Sequence, residues 1–432
     1  MQTVLSRLLL VWAVLSVGIR ATAQNPKALK YDVRILTGAS FSGRGYVDKG
    51  CEKAARYLVR RLKEAGVAPA TPDTSYLQAY SFPVNTFPLP LQLVLNKKEL
   101  RPGIDYLVEA RNPSFATEKA KVRRVDVART FEKTDSAARI AALSAQGGVV
   151  LFQHADTVVQ RSFLRASLPP DSLPAGLYLV PVKGKMTWTV RTRQLAKGAT
   201  VVYVQDSVLP KKVRKITTQL PAKLVGADKN RQFNVCGMIP GTAQPDSFIV
   251  FTAHYDHLGE MGKGTVFPGA SDNASGTATV LDLARYYAQH PQRYSMLFVF
   301  FSGEEAGLLG SQYYTEHPIK PLDRIRFLIN LDMVGECAEG ASVVNATKHP
   351  EVFAQLEQLN KEQSLLPNLK AGGEASNSDH YHFSKLGVPA FFIFGNGGKG
   401  HYHDVFDTAE DLSLTHTENL QKLLIRFVSA LQ

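Results

Sequence analysis

Four stretches in the second half of the chain are apolar almost without alternation: FIVFTA (248–253), MLFVFF (296–301), RFLIN (326–330) and AFFIF (390–394). A strand with one face in water alternates apolar and polar residues, so an unbroken run needs cover on both faces. Helical spacing fills the intervals. Leu281, Ala284 and Tyr287 recur on one face after Asn273, and Leu420, Leu423, Leu424, Phe427, Val428 and Leu431 do so near the end of the chain. Earlier, Ala54, Ala55, Leu58, Val59 and Leu62 predict a helix within 46–65 that stops at Gly66. Strands alternating with helices predict an α/β fold, a three-layer αβα sandwich around a mixed, largely parallel sheet.

Between residues 97 and 225 the texture changes to short β-like pieces, GGVVLF (147–152), GLYLVPV (176–182) and ATVVYV (199–204), punctuated by Pro, Gly and Lys. Some 130 residues of bare loop are implausible in a compact protein, so 97–225 reads as an inserted β-rich domain dividing a main domain of 24–96 and 226–432. No internal repeat is visible.

Residues 1–23 read as a signal peptide. Arg7 precedes an apolar run from Leu8 to Val17, and Ala21 and Ala23 form an A-x-A cleavage pattern with Gln24 as the first mature residue. That run is about half of the ~20 residues a membrane span needs. No cysteine follows until Cys51, so no stable membrane anchor is expected, and the product should be secreted or periplasmic. The three cysteines, Cys51, Cys236 and Cys337, cannot form a disulfide framework; one pairing stays open. The formal charge of +12 falls to +10 once Arg7 and Arg20 leave with the signal. The densest basic run, PKKVRK (210–215), has no interleaved aromatics and reads as a solvated loop or strand, so no nucleic-acid partner is expected.

Acidic and histidine residues gather at or just past the ends of the apolar runs, where open α/β sheets place their sites. HYDHLG follows FIVFTA and sets His254 beside Asp256, an acid placed to hold or tune the imidazole. GASDNASG (269–276) presents Asp272 among small residues that allow close approach of backbone and metal. Glu304 and Glu305 follow MLFVFF; Ser302 with Glu305 could also be a capping box opening a helix. Asp332 follows RFLIN, and HYHDVFDT carries His403 and Asp407 after the last run. Two histidines, two aspartates and one glutamate suit zinc, and a bridging aspartate brings the count to two ions with one glutamate spare.

In this order, HYDHLG, GASDNASG, FSGEEAGLLGS, NLDMVG and YHDVFDT resemble the co-catalytic di-zinc exopeptidase family of bacterial leucyl aminopeptidases and glutamate carboxypeptidases. The likeness covers about 28–95 and 228–432 and takes in FSGRG (41–45). It implies that His254 and Asp332 bind one zinc, Glu305 and His403 the other, and that Asp272 bridges them. It further implies Glu304 as general base, Asp256 as partner of His254, a cis bond between Asp272 and Asn273, and Tyr402 as a candidate oxyanion stabiliser. The insert resembles a protease-associated domain. In SDHYHFSKLGVPAFF (378–392), Asp379 and His380 are expected as pocket or structural groups rather than ligands.

The implied activity is that of an exported zinc exopeptidase acting on peptides, more specifically an aminopeptidase. The alternatives are a carboxypeptidase, a glutaminyl-cyclase-like enzyme of the same fold, or an inactive peptidase-like binding protein. GNGGKG (395–400) satisfies the dinucleotide-binding spacing, but no helix pattern follows it, and no G-x-S-x-G elbow of a serine hydrolase occurs. Oligomeric state is not legible.

Overall fold

The structure, a computed structural model, describes residues 26–126, 148–153 and 170–431. The expected signal peptide lies outside the described residues. Among the described residues no helix is long and apolar enough to cross a membrane, and Cys51, Cys236 and Cys337 are all buried free thiols.

The main sheet has nine strands: β1 (Ala68–Pro69), β2 (Leu77–Ser81), β3 (Arg231–Ile239), β4 (Gln244–His254), β5 (Tyr294–Phe301), β6 (Ile325–Leu331), β7 (Gly340–Val344), β8 (Leu369–Ala371) and β9 (Ala390–Asn396). Their order is β1-β3-β5-β4-β6-β9-β7-β8, with β2 also paired to β3. The central four, β5, β4, β6 and β9, run parallel, and antiparallel pairings flank them at β3 and β7. The sheet is therefore mixed with a parallel centre, as the unbroken apolar runs require.

Both faces are covered. Ile249, Phe251 and Ala253 of β4, Met296, Phe298 and Phe300 of β5, and Phe327 and Ile329 of β6 share a core with helices α1 (Pro26–Leu36), α2 (Gly50–Glu64), α3 (Gly276–Gln289), α5 (Pro350–Gln363) and α7 (Thr417–Ala430). The alternate residues Phe248, Val250, Leu297, Val299, Phe301 and Leu328 meet Tyr314 of α4 (Leu309–Glu316) and Phe383 of α6 (His380–Lys385) on the other side. α2 begins at Gly50, later than 46, and gives way at Gly66, whose φ is +74°.

Among the described residues the second sheet has eight strands, and it begins at Gln92, five residues ahead of the boundary expected at 97. Four of its strands, Phe115–Asp126, Val149–Gln153, Gly176–Val182 and Ala199–Gln205, pair in parallel. Three of them carry the short apolar pieces read from the sequence, the first from Val149 onward. The PKKVRK run is exposed loop apart from half-buried Pro210 and buried Val213, with Lys215 opening a strand.

Phe251 lies at the heart of the main core, stacked between Phe298 and Tyr287 at ring separations of 6.2 and 6.0 Å. Phe251→Ala should lower the unfolding free energy by about 3–5 kcal/mol in a denaturant titration. A loss under about 1 kcal/mol would contradict this placement of the core.

Candidate metal centre

Because β4, β5, β6 and β9 are parallel, their carboxyl ends open on one edge, and the candidate residues leave from that edge. His254 is the last residue of β4, Glu304 and Glu305 lie three and four residues past β5, and Asp332 directly follows β6. His403 comes seven residues after β9, and Asp272 sits in the loop ahead of α3. They converge. His254 Nε2 is 3.2 Å from Asp272 Oδ1 and 3.3 Å from Asp332 Oδ1. His403 Nε2 is 3.1 Å from Asp272 Oδ2 and 3.1 Å from Glu305 Oε2. The two oxygens of Asp272 thus face two different histidines.

The loop carrying Asp272 is fixed by its neighbours. The peptide bond from Asp272 to Asn273 is cis. Asn273 donates to the Leu331 carbonyl at 2.9 Å and accepts from the N–H groups of Gly276 and Met333, tying this loop to the one that bears Asp332. Asp407 accepts from the backbone N–H of Ser271 at 2.7 Å and of Asp272 at 3.0 Å. Asp332 Oδ2 accepts from Ser378, which accepts from Asn330.

Beneath lies Arg44 of the FSGRG segment, fully buried, its guanidinium spread over five carbonyls: those of Leu36, Tyr255, Pro268, Gly269 and Asp272. A planar fork with five fixed donors satisfies such a set, which a lysine could not.

The centre is rich in acid. Asp256, Asp272, Glu305, Asp332 and Asp379 are buried and Glu304 is partly so, with no lysine among them. Burial would raise the Asp272 and Glu305 carboxyls, but the adjacent histidines overcome it, holding Asp272 well below the usual range and Glu305 at about 2. In turn burial opposes a charge on His403, yet Glu305 and Asp272 draw it up to about 11. Imidazoles pulled this strongly toward protonation mark a place short of positive charge. Burial pushes Asp379 up to about 7, and His380 down to about 4. Neither belongs to the groups of three that could hold an ion.

Glu304 differs from its neighbour. Burial raises its carboxyl, and Glu305, Asp332 and Asp379 add to this against the opposing pull of His254. Its backbone N–H donates to Asp256 Oδ1 at 3.3 Å, while Tyr46 donates to Asp256 Oδ2 at 2.8 Å. The capping-box reading of Ser302 and Glu305 fails, because α4 starts only at Leu309 and the two glutamates occupy the turn before it. Ser302 instead meets the Tyr80 hydroxyl at 2.9 Å. For His254, Nδ1 lies 3.1 Å from the backbone carbonyl of Asp256 and 3.7 Å from its carboxylate. Tyr402 is 43% exposed, and its ring stacks on His403 with centroids 3.8 Å apart. Burial and the site carboxylates push its hydroxyl up.

Two donors on one tetrahedral ion, each about 2.0–2.2 Å from it, lie about 3.3–3.6 Å apart. The four nitrogen–oxygen separations of 3.1–3.3 Å lie at or a few tenths of an ångström inside that spacing, and the mixture of imidazole and carboxylate is a zinc donor set. Residues 234–428 match the profile of peptidase family M28. This part of the chain is an M28 peptidase domain.

Aminopeptidase YwaD of Bacillus subtilis (strain 168) is 30% identical over 217 residues, covering 49% of this chain and 44% of that protein. This chain spans about half the length of the curated relatives it matches. The fold is that of BSAP, a zinc aminopeptidase from Bacillus subtilis (TM-score 0.65, 19% identity, 94% of each chain). It is also that of a peptidase M28 precursor from Shewanella amazonensis SB2B (TM-score 0.69, 16% identity, 95% of this chain and 94% of that one).

Against the M28 domain the second-sheet region lays a direct contact. The Trp188 carbonyl accepts from His403 Nδ1 at 2.9 Å, and Trp188 N–H donates to the His403 carbonyl at 2.9 Å. Lys185 pairs with Asp404 at 3.1 Å. The first bond occupies His403 Nδ1, so that Nε2 is the ring nitrogen facing Asp272 and Glu305. Nothing in the sequence joins residues 215 positions apart, so this partner was not legible. Nor was His257, whose Nδ1 lies 2.7 Å from Glu305 Oε1, although it stands in the HYDHLG motif.

Arg44→Met should remove a donor from five carbonyls, of which Gly269 keeps the Ala274 N–H, and each group left orphaned costs about 1–3 kcal/mol. The unfolding free energy should fall by about 3 kcal/mol or more in a denaturant titration. A change within about 0.5 kcal/mol, the size of an ordinary surface substitution, would contradict this role.

Proposed function

We propose that the chain is an exported zinc exopeptidase that removes N-terminal residues from peptides, using two zinc ions. His254 and Asp332 would hold one, Glu305 and His403 the other, with Asp272 between them. The observation that carries this reading is the division of Asp272, one oxygen toward each histidine. When bound, the ions would supply Lewis-acid polarisation of the scissile carbonyl and acidify an attacking water.

The chain's own groups do the rest. Glu304 is left out of both pairings, is held in place through its N–H on Asp256, and carries a carboxyl raised by burial and by its acidic neighbours. A carboxylate so tuned takes a proton from the attacking water and returns it to the departing amine. Asp256, anchored by Tyr46, fixes the turn that bears Glu304 and its carbonyl orients His254. Tyr402 stands exposed beside His403, where its hydroxyl can steady the oxyanion. Removal of the amino-terminal rather than the carboxyl-terminal residue is supported by YwaD, named an aminopeptidase. The second-sheet region is taken as a protease-associated-type insert, and residues 1–23 as the export signal.

Glu304→Gln should retain the zinc content of the unsubstituted chain while hydrolysis of an aminoacyl-amide falls by about 10²–10⁴-fold. Chelation should abolish activity in the unsubstituted chain, and added zinc should restore it. Loss of zinc together with activity in Glu304→Gln would remove Glu304 from the role of base. Cleavage confined to N-blocked peptides would overturn the choice of the amino end.

A further inference from the structure

His257 is fully buried beside the centre, and the roles assigned above do not use it. Its Nδ1 lies 2.7 Å from Glu305 Oε1 and 3.9 Å from Asp272 Oδ2. Together with Asp272 and Glu305 it forms a group compact enough to hold an ion, so it could be read as a ligand. The separations decide otherwise. Two donors sharing one tetrahedral ion stand about 3.3–3.6 Å apart; His403, at 3.1 Å from both Asp272 and Glu305, comes near that spacing to each, whereas His257 is too close to one and too far from the other. A separation of 2.7 Å is that of a hydrogen bond.

The geometry points to His257 as a positioning residue for Glu305: its Nδ1–H occupies Oε1 and so turns Oε2 toward His403 and the second cation. This inference rests on the two-cation reading above. A carboxylate can only accept, so the proton sits on Nδ1 of His257. Nε2 has no hydrogen-bond partner among the described residues, so Nδ1 is the nitrogen through which the ring acts. The ring is held from three sides. Its backbone N–H donates to the Arg44 carbonyl at 3.2 Å, its ring meets that of His403 at 5.8 Å, and its far edge lies against Gly269. A Cβ at Gly269 would come within 2.4 Å of the ring Cδ2, and φ there is +62°, so the glycine leaves the space the imidazole fills. A carboxylate with one oxygen taken in this way cannot swing to present both oxygens to one ion, which makes the second cation's affinity depend on His257.

The test uses the full chain, stripped of metal and titrated with Zn²⁺ against a chromophoric chelator, so that two dissociation constants are read. Asparagine places its amide nitrogen where histidine has Nδ1, and glutamine where histidine has Nε2. His257→Asn should keep both constants within about three-fold of the unsubstituted chain. His257→Gln and His257→Leu should raise one constant by about 10–100-fold and leave the other unchanged. Equal constants in His257→Asn and His257→Gln, or a rise in both constants together, would overturn the proposal. Should His257→Leu fail to fold, the asparagine and glutamine variants still decide it, since they differ in where the donor stands. Uptake of a single ion by the unsubstituted chain would sink the two-cation reading instead; His257 would then be judged by whether that one constant separates asparagine from glutamine.

Discussion

The arrangement hangs on the carboxylate of Asp272, which shows one oxygen to His254 and the other to His403. A single side chain can do this only if its own backbone is immobile and if both histidines arrive from the correct sides. Much of what surrounds the centre serves these two demands. Asp407 takes the N–H groups of the loop, Arg44 takes its carbonyls, and Asn273 clamps it to the loop after β6. The parallel centre of the sheet then delivers His254, the glutamate pair and Asp332 to one edge.

Electrostatics turns this convergence into a requirement. Six carboxylates share a space with three imidazoles and one guanidinium whose five hydrogen bonds all go to carbonyls. Buried charge of one sign is costly unless paired, and the strong upward pull on His403 shows how far the protein is from neutrality at that point. In the proposed reading, divalent cations would meet this need. Glu304 stays outside both pairings, and its carboxyl, raised by burial and by its acidic neighbours, has the property that the proposed base requires.

The strands were legible because both faces of each are buried, leaving no polar residue to interrupt FIVFTA or MLFVFF. Of the converging residues, His254, Glu304, Glu305 and Asp332 were legible because they stand at or just behind such a run, whereas Asp272 and His403 lie in loops farther on and were found by their motifs. Where the reading fell short, local rules competed or distance intervened. Ser302 and Glu305 have the spacing of a capping box, yet Gly303 turns with φ of +69° and the helix waits until Leu309. Arg44 looks like any surface arginine until five carbonyls, four of them from segments more than 200 residues away, are brought to it. Trp188 reaches His403 from a region whose sequence carries no trace of the contact, and the parallel pairing of its strands cannot be read from short apolar pieces alone. His257 was in view within HYDHLG, but its role depends on a distance of 2.7 Å that no spacing in sequence encodes.

The central claim is that these side chains cage two cations, one on either side of Asp272. Crystals of the full chain grown with Zn²⁺ and measured above and below the zinc absorption edge test it most directly. The account predicts two anomalous peaks, one contacted by His254, Asp272 and Asp332 and the other by Asp272, Glu305 and His403. A single peak, or none between these residues, would contradict it.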